Sequence, residues 1–158
     1  MSGMAEGFQP YTLADAWRIN NRVNLMLLDR LTVEQLAWAA DPRARTIGDQ
    51  FAHLHAVRLT WLEAGGRDAR GIGKLAKGTS RSDLREALEA SGNAVADWLA
   101  DAEASGKMKA FRRGPAAFLA YLAAHEGHHR GQILLHLKTA KMAVEPEVAF
   151  GLWEWGKI

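Results

Sequence analysis

Apolar residues recur at the α-helical period along nearly the whole chain, and no segment alternates apolar with polar residues as a half-buried strand does. That pattern restricts the fold to helices packed on helices. The spacing predicts a first helix over residues 12–31, with Leu13, Trp17, Val23, Leu27, Leu28 and Leu31 on its apolar side. A short helical turn over 33–38 follows, and Asp41-Pro42 breaks it. The second long helix opens at Thr46-Ile47-Gly48-Asp49, where Thr46 can cap and Asp49 can return the bond in a capping box. It ends at Gly65-Gly66.

Residues 65–80 are rich in glycine and carry no phosphate-loop pattern, so a plain mobile loop is expected there. A third long helix begins at Ser80–Asp83 and ends near Glu103. A basic connection from Gly106 to Gly114 leads to Pro115, which suits the first turn of a fourth helix reaching to about Lys138. A short tail closes on "LWEWGKI". The reading is all-α: a four-helix bundle forming a single domain over residues 1–158.

Composition narrows the function classes. The formal net charge is only +2, and the basic residues are scattered apart from short clusters at 67–70 and 107–113. A nucleic-acid partner would call for a concentrated basic patch, so none is expected. There is no cysteine, which removes disulfides, zinc–thiolate sites and cysteine nucleophiles; any thiol chemistry must use a thiol brought from outside. The start, "MSGMAEGFQPYTL", lacks the cationic and apolar regions of a signal peptide. No stretch approaches the roughly 20 apolar residues of a membrane span. No membrane association and a cytoplasmic location are the expectations.

All six histidines fall in two of the helices: His53 and His55 in the second, and His125, His128, His129 and His136 in the fourth. At about 100° per residue, Phe118, Leu122, His129, Gln132 and His136 lie within about 60° of His125. The histidines thus share the core-facing stripe, with His128 at its margin. Imidazoles at i and i+4 can converge on one ion, and His125 and His129 fit best. Neighbouring core imidazoles are costly to bury without a ligand, whereas one divalent cation satisfies them together. A third ligand must come from the second helix, where His53 and His55 point about 160° apart. Only one of them can contribute, and the wheel does not choose.

The run H-E-G-H-H at 125–129 also satisfies the H-E-x-x-H pattern of zinc peptidases. In that reading Glu126 is the general base. The metzincin extension fails, since Gln132 and Leu135 stand where Gly and His are required, although Glu147 or Glu154 is of the right type for a downstream glutamate ligand. Glu126 sits at the edge of the stripe, and no strand is available to pair with a peptide substrate.

The stretches "RTIGDQFAHLHAVRLTWLE" and "RRGPAAFLAYLAAHEGHHRGQILLHLK" resemble the DinB/YfiT-like family of bacterial four-helix metalloproteins. The H-E-x-H-H-R-G-Q run is the specific part. The resemblance implies a divalent metal held by His53, His125 and His129, with water in the remaining positions. Zinc, nickel, iron and manganese all suit three imidazoles to differing degrees. In this reading Glu126 is incidental to the metal, and His128, Arg130 and Gln132 stand behind the ligands or in the pocket.

Characterised relatives include bacillithiol S-transferases and a mycothiol-dependent maleylpyruvate isomerase, so the implied activity is metal-dependent transfer of a low-molecular-weight thiol to an electrophilic small molecule. The alternative from another class is a non-catalytic metal-binding stress-response protein, whose site would be closed by a fourth ligand such as His136 or a downstream glutamate. Ala116, Ala120, Ala123, Gly127, Gly131 and Leu134 form a second, small-residue face on the fourth helix. It predicts a homodimer, with packing of the C-terminal tail there as the alternative. Trp61 lies two turns beyond His53 and is the one tryptophan to watch for ligand stacking.

Overall fold

The computed structural model describes residues 11–158; the start of the chain, read above as lacking a signal peptide, lies largely outside them. Six helices form: α1 (Leu13–Asp29), α2 (Val33–Ala37), α3 (Ile47–Ala64), α4 (Arg81–Ser105), α5 (Pro115–Thr139) and α6 (Pro146–Gly151). The four long ones make the bundle, and no strand occurs among the described residues. Helix α4 packs on α1 and on α3, while α5 closes the bundle against α1 and α3. No helix of the described residues is long and apolar enough to cross a membrane.

Local chemistry accounts for the boundaries. Thr12 with Asp15 and Thr32 with Gln35 form complete capping boxes that start α1 and α2. The box expected at the start of α3 forms only by half. Thr46 Oγ1 accepts from the Asp49 N–H at 3.0 Å, but the Asp49 carboxylate turns away and accepts from the Gly78 N–H at 3.2 Å. It thereby ties the 65–80 loop to α3. That loop is held again at Gly73, whose carbonyl lies 2.8 Å from Nε2 of His55. Helix α4 ends at Gly106 with φ of 65°, the left-handed cap that favours glycine. The sixth helix was not expected; Pro146 sits in its first turn.

The core comes in two apolar halves. One gathers Leu27, Leu28, Leu31, Ile47, Phe51, Leu54, Leu84, Leu88, Ile133 and Leu137. The other gathers Ala14, Trp17, Leu59, Leu62, Val95, Leu99, Phe118 and Leu122. Full burial of each leucine or phenylalanine contributes about 1.5–3 kcal/mol.

Between the halves every long helix contributes polar residues. Asn20 and Asn24 come from α1, His55 and Arg58 from α3, Ser91 from α4 and Glu126 from α5, all of them fully buried. Arg58 Nε donates to Glu126 Oε1 at 2.7 Å and its Nη2 to Oε2 at 3.0 Å. Asn20 and Asn24 each donate to Oε2 at 2.7 Å, and Arg130 Nη1 in turn donates to their amide oxygens at 3.0 and 2.7 Å. Arg58 Nη1 finishes on the Leu88 carbonyl at 2.9 Å, and its guanidinium lies over Trp17. A buried pair is tolerable only when its remaining donors and acceptors are satisfied, which Arg58 and Glu126 achieve here.

At the same level α1 and α4 approach closely. Trp17 Nε1 donates to the Gly92 carbonyl at 2.8 Å, and the Asn21 amide fills the space where a Cβ on residue 92 would stand.

Candidate metal centre

The polar layer of α5 carries histidines on its neighbouring side. His125 and His129 lie one turn apart and face α3, where His53 meets them. One nitrogen or other ligand atom from each of the three lies within 4.8 Å of the others. Ring centroids are 5.4 Å apart for His53–His125 and 4.8 Å for both His53–His129 and His125–His129. All three rings cross at steep angles, so none stacks on another.

His129 is the most enclosed, 8% exposed. Burial, with the nearby His125, His53, His128 and Arg45, pushes its pKa down to about 4. Burial likewise lowers His53, helped by Arg45 and His125. His125 is lowered by burial, against an opposing pull from Glu126. Three neutral imidazoles with available lone pairs are the form that ligates a cation.

Two further observations fit a cation here. Nδ1 of His125 is buried and has no hydrogen-bond partner, which is costly unless something else satisfies it. On His129, Nδ1 lies 3.4 Å from Oε1 of Gln50, so an Nδ1–H donated to that oxygen leaves Nε2 with its lone pair free. The same amide reaches Nδ1 of His136 at 3.5 Å through its Nε2. Gln50 is one turn before His53 on α3 and is itself buried. The sequence reading missed it; its i, i+3 relation to His53 was the available signal.

The other candidates separate cleanly. His55, left open as an alternative ligand, points into the opposite side of the bundle. It is fully buried and lies between Ser91 Oγ at 3.0 Å and the Gly73 carbonyl at 2.8 Å, with burial lowering its pKa. It is a core residue, held by the loop and by α4 and not by the triad. His136 packs at a tilt against Trp38 and falls outside the cluster. His128 is exposed and meets the ring of His129 edge to face.

Arg130, expected behind the ligands or in the pocket, donates to the amide oxygens of Asn20 and Asn24 on α1. Gln132 is half-buried with no hydrogen bond to the triad. No fourth histidine or acidic side chain joins the three among the described residues.

The peptidase pattern makes Glu126 a base. Both its oxygens are engaged with Arg58, Asn20 and Asn24, and the side chain is wholly buried. A general base must reach a substrate or water at the site, and this carboxylate is directed into the bundle instead. Its position at the edge of the histidine stripe, visible on the wheel, has this meaning: the edge of one face is the centre of the next.

Beyond the triad, towards the end of α3, Trp61 meets Phe111, Phe118 and Tyr121 at centroid distances of 5.5, 5.7 and 5.6 Å. Tyr121 is one turn before His125, so an aromatic wall adjoins the centre.

The sequence profile of the DinB superfamily matches residues 16–133, which include all three histidines and most of the bundle. Searches among curated proteins and solved structures returned no match.

Proposed function

The chain belongs to the DinB superfamily, and from that footing we propose that His53, His125 and His129 hold a divalent metal ion and that the protein is a thiol-dependent transferase acting on an electrophilic small molecule. The observation that carries the metal is the convergence of three imidazoles within 4.8 Å, one with a buried nitrogen that nothing else satisfies. A bound divalent ion would supply Lewis acidity, lowering the pKa of a coordinating thiol so that it reacts at neutral pH.

The protein's own residues would do the rest. Gln50 fixes the ring of His129 and its tautomer. Depressed basicity keeps the imidazoles from taking up protons at neutral pH. Trp61 and Tyr121 offer an apolar surface on which a small electrophile could lie. The absence of cysteine agrees with a thiol arriving as cosubstrate.

Three protein ligands with no fourth among the described residues is the pattern of a site that admits substrate, and this favours an enzyme over a closed structural centre. The test is to load the purified protein with cobalt(II) and add a small thiol, watching for a sulfur-to-metal charge-transfer band. A monochloro-dinitroarene then reports transfer. Loading with no thiol-dependent band or turnover would favour the non-catalytic reading.

A homodimer in the cytoplasm completes the proposal. Ala116, Ala120 and Gly131 are exposed on one side of α5, and nothing lies within 4 Å of where a Cβ on Gly131 would be. The C-terminal residues Leu152, Trp153 and Trp155 border this face near Gly127 and Leu134 and leave Gly131 open.

A further inference from the structure

Next to the triad, a cleft of about 270 Å³ lies between α3, the connection leading into it and the anchored 65–80 loop. His53 is part of its wall, so the cleft and the candidate centre share a residue. Arg43, Arg45 and Lys77 stand around it against a single carboxylate, Asp49. That carboxylate is already engaged with the Gly78 N–H. Arg43 makes one long, exposed contact with Asp41 at 3.5 Å; Arg45 and Lys77 form no ion pair among the described residues. The floor is small and apolar, built from Ala52, Ala56 and Leu75. A chain whose net charge is only +2 has therefore gathered three cations beside its histidines.

Cations of one sign around a concave site repel each other and focus potential into it, which favours an anion. The guanidinium fork suits a carboxylate, phosphate or sulfonate best. We propose that the small molecule handled at this centre carries such an anionic group, seated in the cleft between Arg45, Arg43 and Lys77 with its reactive end towards His53. The idea rests on the metal reading for the reactive end only; the anion seat is a property of the cleft. Its volume suits a group on a small molecule and excludes a folded polymer.

The test compares three thiols of similar size by calorimetry on the zinc-loaded protein at pH 7.5: 3-mercaptopropionate, 2-mercaptoethanol and cysteamine. The expected order is anionic, neutral, cationic, with at least about a tenfold gap between the first and last. Arg45→Gln and Lys77→Gln, both on exposed side chains, should shrink that gap to under about threefold, and inorganic phosphate should compete with 3-mercaptopropionate but not with 2-mercaptoethanol. Equal affinity for the three thiols, or a gap untouched by the two variants, overturns the proposal while leaving the metal reading in place. If zinc does not load, the metal reading fails; the anion seat is then read on the metal-free protein with succinate against its diamide. Preference for succinate that is lost in Arg45→Gln upholds the seat, and no preference sinks it.

Discussion

Removing the Glu126 carboxylate tests whether the buried layer organises this bundle. Glu126→Ala leaves Arg58, fully buried, without its two-point partner, and takes the acceptor from Asn20 and Asn24. Breaking a buried ion pair from one side costs about 3–5 kcal/mol. Single domains are stable by about 5–15 kcal/mol, so the loss is a large fraction of the whole.

Urea unfolding followed by far-ultraviolet circular dichroism measures it: with a slope of about 1–3 kcal/mol per molar, the midpoint should fall by about 1 M or more. Arg58→Met should cost a similar amount, because it strands the carboxylate instead. The double variant R58M/E126A removes both charges and should recover at least about 1 kcal/mol relative to the sum of the single variants. Single losses under about 1 kcal/mol, or strictly additive ones, would refute the reasoning.

Four further outcomes are expected. Gln50→Leu should weaken metal binding by about 10–100-fold, since it frees the ring of His129, and competition with a chromogenic chelator reads the change. In the metal-free protein, the folded-state pKa of His129 is about 4, below its ordinary 6.5, so the unfolded chain takes up the proton first. Stability should be complete above 6.5 and drain away as pH falls towards 4; a flat thermal midpoint across that window contradicts the assignment. Gly92→Ala should cost about 1–3 kcal/mol, because the added methyl meets the Asn21 side chain, whereas Gly131→Ala should gain up to about 1 kcal/mol of helix propensity. Gly131→Arg should convert a dimer to a monomer in sedimentation velocity, and an unchanged or already monomeric species rejects that interface.

The helices were legible because each begins and ends with its own local chemistry. Ser80 caps α4, Pro115 starts α5 and Gly65 follows α3, all within the reach of a few residues. The histidine cluster was legible because i, i+4 spacing places His125 and His129 together whatever the helix packs on. The choice between His53 and His55 was not, since a wheel gives angles and not the direction of the partner helix; the family resemblance pointed to His53, and the tertiary packing brings it to the pair.

The buried layer escaped notice for a related reason. Glu126 looks marginal on the wheel of α5 alone, and only the approach of α1 and α3 makes it central. A signal was present nonetheless. Arg58 stands in the row Leu54, Arg58, Leu62, both leucines being buried, and Asn20, Asn21 and Asn24 interrupt the apolar run of α1. Charged and amide residues at core spacing on two helices predict a partner on a third.

The most direct test of the central claim is the metal stoichiometry and affinity of the purified protein beside His53→Ala, His125→Ala and His129→Ala, with Glu126→Ala measured at a temperature where it remains folded. The account predicts one divalent ion per chain in the wild type, loss of stoichiometric metal in each histidine variant, and retention in Glu126→Ala. A wild type that cannot be loaded, or a histidine variant that keeps full occupancy at unchanged affinity, would contradict it.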